Sequence, residues 1–581
     1  MLTTAVQEEL GVQERIARLE QLLGDPADPA NPAGARALLA ADERGELLPE
    51  AERLLDEFGL NAEFVPRDLG GRLDRVDTLG RVLRGVFRRD ASLGLGYGAT
   101  SFLAAVTVWA AGTAAQRRWT ADLLLDGGRL AVAYHELAHG NDFVRNEFRA
   151  RPAGSGFVLS GTKQVINNVE RAEALVLFSR TGQEAGSRSH SVLLVDKSAL
   201  PPDSIGYLPR YASVGVRGCR LGGVEFTDCP VPQSALVGEV GGGVELALRS
   251  FQITRSVVPS MVLGGGDTAL RTAVGFALDR RLYNRAVLEI PHVRATLVGA
   301  FTDLLISDCL ALAATRAVHL LPGQTSVYAA AVKYLLPKLL TEATYDLSIV
   351  LGANFYVRGG DYGAFQKHVR DLPMISLGHA GTAACQATII PQLPRLARRA
   401  WSGGAGAPYA LFRTRDPLPA LRPELLVLAS DGDALADSLV GAGETVRELA
   451  RERAPEYADA LGALAGQLEA ELATLRAECL AMAPKDRTVL ASPRSYALAD
   501  RYALLLAGAA CLGVWRSHRG DEGGFLTEPG WVAAAAARLV RRLGRPLPAL
   551  PDGWEDRLLD EVLDRYHGPR SYDLYDTPIA G

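Results

Sequence analysis

A chain of 581 residues is longer than a single hydrophobic core supports, so two to four domains are expected. Hydrophobic residues make up 48% and charged residues 22%, a globular balance that excludes a disordered or fibrous chain. The net charge of −5 offers no basic surface, so neither nucleic acid nor an anionic membrane is an expected partner.

Residues 1–126 read as an N-terminal helical domain. VQERIARLEQLL and VDTLGRVLRGVFRR repeat apolar residues every three or four positions, and FVPRDLGG (64–71) is a loop by its Pro and paired Gly. MLTTAVQEEL has no basic start followed by an apolar run, so a secretory signal is not expected. Residues 91–116 carry no charge and are long enough to span a bilayer, but Gly94, Gly96, Gly98 and Gly112 interrupt them. A buried helix-turn-helix is expected there.

From 127 to 238 the texture becomes that of strands. RLAVAY, GFVLSG, ALVLFSR, HSVLLVD and GGVEFTD are short, apolar and punctuated by Gly, Asn and Asp, as in a small β-barrel. Residues 239–400 return to long helical patterns with little between them, an antiparallel bundle. WSGGAGAP (401–408) is a linker, and 415–581 an additional helical domain with an irregular tail from 567. The fold class is therefore α+β, mainly helical. The six cysteines show no C-x-x-C spacing and read as free thiols in a reducing, cytoplasmic setting.

AVAYHELAHGNDF (131–143) contains H-E-x-x-H, the zinc-protease pattern. That motif needs a helix, so that two His at i and i+4 share a face. Here it leaves a strand-like run and enters Gly140-Asn141-Asp142, so a strand end with a polar loop is expected, and no metal. GEVGGGVE and GLGYG lack the Lys-Ser/Thr of a phosphate loop and are weak signals.

The neighbouring residues resemble the acyl-CoA dehydrogenase superfamily. Glu136, Gly140 and Asp142 match its Thr-Glu-Pro…Gly-Ser-Asp loop; GFVLSGTK (156–163) and Asn168 match the hairpin that follows. FVPRDLGG, the uncharged run from 91, VEFTDCPVP…GEVGGG, ALDRRLYNR, HVRDLPM and Gly381-Thr382 resemble further family passages in order, across 64–395.

The resemblance implies a helical domain, a β-domain and a four-helix bundle. It also implies FAD between the β-domain and the bundle, and a homodimer in which the FAD phosphates reach a second copy. The region after 415 resembles the extra helical domain of acyl-CoA oxidases. Tyr134, His135, Glu136, Asn141, Val165 and Asn167 fall at the flavin-binding positions, with Thr382 near them; Arg280, Tyr283 and Gly352 fall at the phosphate positions. Several differ from the family pattern: His135 and Asn167 stand for Thr, Asn141 for Ser, Val165 for Trp and Tyr283 for Phe.

The implied reaction is α,β-dehydrogenation of an acyl thioester, on CoA or a carrier protein, with a Glu as base. Ala380 and Thr254 stand at the two places where the family carries that Glu. Three readings follow: His379 acts as base; the substrate is a β-keto acid, or O2 is used, so that no α-proton base is needed; or redox activity is lost. Arg255 reads as a residue that pins helices together.

Overall fold

A computed structural model of the chain describes residues 4–184, 186–378, 381–404, 406–488, 490–521 and 523–581. The N-terminal region is helical from Thr4 to Leu125. Pro49 starts one helix in its first turn, where a missing N–H costs nothing, and Gly59 ends it in the left-handed conformation. The helix Ala114–Leu125 is closed by a reciprocal Thr113–Gln116 capping box, and the same Gln116 amide donates to the carbonyls of Ser234 and Leu236. One side chain thus caps a helix and ties it to the β-domain.

The expected break in 91–116 falls at Gly112 and Thr113, before the helix Ala114–Leu125. Ala91–Ala111 runs on without a turn, and Gly94–Ala99 is a π-helical segment within it. Its glycines serve packing: a Cβ at Gly94 would stand 2.6 Å from the Phe87 ring, and one at Gly98 2.8 Å from the Phe64 ring. Three helical runs, Ala91–Ala111, Pro291–Leu320 and Pro493–His518, are long and apolar enough to cross a membrane by length and composition. Each packs most of its apolar window inside the protein.

The middle region contains β1 (Leu130–Ala133), β2 (Arg149–Ala153), β3 (Gly156–Asn167), β4 (Ala174–Arg180), β5 (His190–Asp196), β6 (Ile205–Leu208), β7 (Leu221–Pro232) and β8 (Leu236–Val237). Their order is β6-β7-β3-β2-β4-β5-β8, with β1 parallel to β4 and most other pairs antiparallel. β4 explains why ALVLFSR is apolar without alternation. Ala174, Val176 and Phe178 face the helical core, whereas Leu175 and Leu177 join a second, smaller core inside the β-domain.

The bundle is built from three long helices, Gly243–Asp279, Pro291–Leu320 and Thr325–Leu351, with Gly363–Leu377 and Thr382–Ile389 as its fourth member. The C-terminal helices, chiefly Pro455–Leu480, Pro493–His518 and Pro529–Arg542, pack on one another and on the second and third bundle helices. The helical domain, β-domain and helical bundle that the resemblance implies are all present, and this region adds to them.

Amphipathic patterning misjudges one helix. Every residue of Val76–Arg89 is buried, arginines included. Arg81 pairs with Glu9, Arg84 with Asp308, and Arg88 and Arg89 with Glu20. The tail, expected to be irregular, has no helix beyond His567, yet it is inserted into this polar core. Leu574 N donates to Asp308, Tyr572 N to Asp267, and the Tyr575 ring lies 4.0 Å under the Arg81 guanidinium. A polar helix face is buried here because acids from four other chain segments meet it.

Candidate functional site

The stretch 131–143 leaves β1 at Ala133 and runs through turns, not helix, so His135 and His139 do not share a helical face. The turn closes on Glu136, whose carbonyl accepts from His139 N and Gly140 N. The Glu136 carboxylate accepts from Lys163 Nζ at 2.7 Å, Glu147 N at 2.7 Å and Phe148 N at 3.1 Å. Burial would raise its pKa, but the Lys163 ammonium and these hydrogen bonds outweigh burial and hold it below the ordinary value. Lys163 is fully buried; burial pushes its pKa down to about 8 although Glu136 opposes the shift. This ion pair shapes the loop that presents His135.

Tyr134 points into the core. Its hydroxyl meets Thr107 Oγ1 at 3.1 Å, and its ring packs 5.4 Å from Phe178 and 6.0 Å from Phe251 on the first bundle helix. Its carbonyl accepts from Asn146 Nδ2 at 2.7 Å. His135 is half-buried and joined to β3 twice, through Gln164 N to its carbonyl and through Nδ1 to Gln164 O at 3.3 Å. A carbonyl only accepts, so Nδ1 carries the proton and Nε2 keeps its lone pair. Burial lowers the His135 pKa, which favours this neutral form. Asn141 is exposed in the turn beyond Gly140.

β3 loses register with β7 between Lys163 and Ile166, and Val165 within that bulge has φ +57°. A β-branched residue there is strained, a feature concentrated at functional sites. Asn167 follows. Its amide donates to Thr100 Oγ1 at 2.7 Å and to Leu95 O at 3.2 Å, which leaves Oδ1 buried without a partner. Thr254 is buried on the first bundle helix, its hydroxyl donating to Phe251 O at 3.3 Å. Thr382 begins the helix Thr382–Ile389 and is half-buried. His379 and Ala380 lie outside the described residues.

The structure therefore brings the segments 134–136 and 165–167 together through the His135–Gln164 hydrogen bonds, while Asn141 is exposed in the turn beyond them. Arg280, Tyr283 and Gly352 lie elsewhere. Arg280 ends the first bundle helix, about 40 Å from Phe251 at a helical rise of about 1.5 Å per residue. Tyr283 and Asn284 form a two-residue hairpin turn with both φ positive, and Tyr283 is 89% exposed. Gly352, at φ +54°, closes the third bundle helix at the same end, where Tyr362 joins Phe276 and Asp279. A Cβ built at Gly352 would meet nothing within 4 Å, so the backbone there is open to a ligand. Lys163, Gln164 and Asn146 were not expected as site residues. Lys163 stands in the GTK that carried the resemblance, but nothing local marks it as the partner of Glu136.

Among the described residues no group of three or more His, Cys, Asp or Glu is placed to hold a metal ion.

Residues 131–229 match the family model "Acyl-CoA dehydrogenase, middle domain", and 241–392 match "Acyl-CoA dehydrogenase, C-terminal domain". The human mitochondrial short-chain specific acyl-CoA dehydrogenase is 25% identical over 358 residues, 61% of this chain and 84% of that protein. The mitochondrial isovaleryl-CoA dehydrogenase of Oryza sativa is 26% identical over 253 residues, 43% of this chain and 61% of that protein. Among solved structures, butyryl-CoA dehydrogenase of Megasphaera elsdenii superposes with a TM-score of 0.58 at 19% identity, covering 66% of this chain and 96% of that one. The prolyl acyl carrier protein oxidase AnaB gives 0.57 at 18% identity, with 67% and 98% covered. PigA with FAD and proline gives 0.58 at 17% identity, with 67% and 97% covered. These structural likenesses show a shared fold.

Proposed function

Because the chain belongs to the acyl-CoA dehydrogenase superfamily, we propose that it is an FAD-dependent oxidoreductase acting on the CH–CH group of an acyl thioester. The observation that carries the reading is the unsatisfied Asn167 Oδ1, buried beside the strained Val165 bulge and the His135 loop. A buried acceptor without a partner is costly and marks a place where a donor belongs. The ring N–H and carbonyl groups of a flavin suit Asn167 Oδ1 and the loop around His135. When bound, FAD supplies an acceptor for the hydride that leaves the β-carbon of the thioester.

The chain's own residues bind and orient. The Glu136–Lys163 pair holds the loop, His135 offers Nε2 as an acceptor, and Thr382 starts a bundle helix. Arg280 and the open backbone at Gly352 suit a pyrophosphate. They lie further from the flavin-side group, along one helix, than a single FAD reaches. On this reading a second copy of the chain completes each site, and the exposed Tyr283, Tyr345, Ile349 and Tyr356 at that end of the bundle support it. Thr254 is no base, since its hydroxyl donates to Phe251 O. His379 is left to take the α-proton.

A purified sample tests the reading. Flavin absorbance, or its appearance on reconstitution with FAD, is expected, followed by anaerobic bleaching with saturated acyl thioesters of CoA or of a carrier protein. Bleaching by β-keto acids alone, or product formation that requires O2, would move the chain to a flavin decarboxylase-dehydrogenase or monooxygenase. A colourless protein that FAD cannot reconstitute would mark a non-redox protein on this fold. His379→Ala is expected to slow flavin reduction by about 10²-fold or more; an unchanged rate removes it as the base.

A further inference from the structure

Eleven Arg and Lys side chains are buried among the described residues. Nine have a carboxylate oxygen within 4.0 Å; Arg255 and Lys333 do not. Arg255, 5% exposed, stands one turn beyond Phe251 on the first bundle helix, its guanidinium 5.2 Å from the Phe251 ring. Among the described residues its one hydrogen bond is long, Nη1 to Thr388 Oγ1 at 3.5 Å, and Nε is buried without a partner there. Lys333, 2% exposed on the third bundle helix, donates to the Ile375 carbonyl at 2.6 Å. The two are neighbours. Burial pushes the Lys333 pKa down to about 8, and the Arg255 charge adds to that. Both cations also act on the Cys385 thiol, whose burial nevertheless raises its pKa and keeps it protonated.

An unpaired buried charge is among the costliest features a fold can carry, and two adjacent like charges cost more. Every other buried cation has a carboxylate, and these two have none among the described residues. They are also placed where a reacting acyl group would be. Phe251 touches Tyr134 of the flavin-side loop, while Ile375 and Thr388 flank the connection from Leu377 to Thr382. Leu377 and Gly378, two and three residues beyond Ile375, are exposed.

We infer that Arg255 and Lys333 form an anion-binding subsite that takes a free carboxylate carried by the acyl group of the substrate. A guanidinium receives one or both carboxylate oxygens in its fork, and the ammonium adds a third charge-assisted hydrogen bond. The substrate class is then a thioester whose acyl chain bears a second, free acid. The location rests on the acyl-thioester reading above; the charge chemistry does not.

Two measurements on the full-length protein separate these. Malonate, titrated against chloride at constant ionic strength, is expected to raise the thermal midpoint saturably in the wild type, and to lose this effect in Lys333→Met and in Arg255→Gln. No saturable shift in the wild type, or a full shift in Lys333→Met, overturns the subsite. On flavin-loaded protein, anaerobic reduction by glutarate and butyrate monothioesters is compared. Lys333→Met is expected to shift the kcat/KM ratio at least tenfold toward the butyrate thioester, carried by KM; an unchanged ratio overturns the subsite while leaving the proposed function intact. If no thioester reduces the flavin, the proposed function fails and malonate still decides the subsite.

Discussion

The arginine-rich helix Val76–Arg89 and the Arg255–Lys333 pair bury the same kind of charge in opposite ways. Along the first, Arg81, Arg84, Arg88 and Arg89 meet Glu9, Asp308 and Glu20 at 2.5–2.9 Å, and the C-terminal tail closes over them. In the second, among the described residues Arg255 has one long hydrogen bond and the Phe251 ring, and Lys333 one carbonyl. Compensated charge glues the N-terminal helices, the bundle and the tail together. Charge without a carboxylate partner is costly, and an anion brought by a ligand would offset it.

Breaking the compensated set should have the largest effect. Asp308→Ala strands Arg84 and the Leu574 amide, and is expected to cost about 3–5 kcal/mol, read in a denaturant melt followed by far-UV circular dichroism. A melt like the wild type's would show that this cluster does not hold the tail. Glu136→Gln weakens one ion pair but keeps an acceptor for the backbone, so about 2 kcal/mol is expected, with Lys163 falling below its value of about 8.

Removing a bare charge should act in the other direction. Lys333→Met is expected to raise stability by about 1 kcal/mol at neutral pH. It should also change the pH profile. Lys333 titrates near about 8 in the folded chain and near ~10.4 when unfolded. Between those values the unfolded state binds more protons, so stability rises with pH across the window. Lys163 contributes a similar rise, so Lys333→Met is expected to leave roughly half of it, measured as thermal midpoints from pH 7.5 to 10. Lys367 makes the opposite case. Burial opposes its charge, but Asp90, Asp371 and Asp42 raise its pKa above the ordinary value. Its contribution is present below the ordinary lysine value and lost only at higher pH. The smallest effect belongs to the surface: Arg44→Ala, which removes an exposed pair with Glu46, is expected to stay within about 0.5 kcal/mol.

How far the molecule could be read without coordinates varies with the range of the interaction. RLAVAY, GFVLSG, ALVLFSR and HSVLLVD became β1, β3, β4 and β5, because strand character is a local property of side-chain shape and alternation. β2, in Arg149–Ala153, escaped notice: three of its five residues are Arg or Pro, and it pairs along one face of β3 without an apolar run of its own. The proximity of residues 134–136 to 165–167 was legible because each motif segment is contiguous, and the turn residues from Gly140 pointed away from a helical H-E-x-x-H. The separation of Arg280 and Gly352 from them was not legible, since it depends on the length and direction of one bundle helix.

Amino-acid order alone determined most element types and the family resemblance that singled out candidate residues, all of which depend on neighbours a few positions apart. Only the folded chain decided that an Arg-rich helix would be buried, that a tail without helix would become core, and that Arg255 and Lys333 would meet without an acid. Each of those outcomes depends on which distant charges arrive within about 4 Å, a distance at which Coulomb energy in a desolvated interior exceeds any local preference.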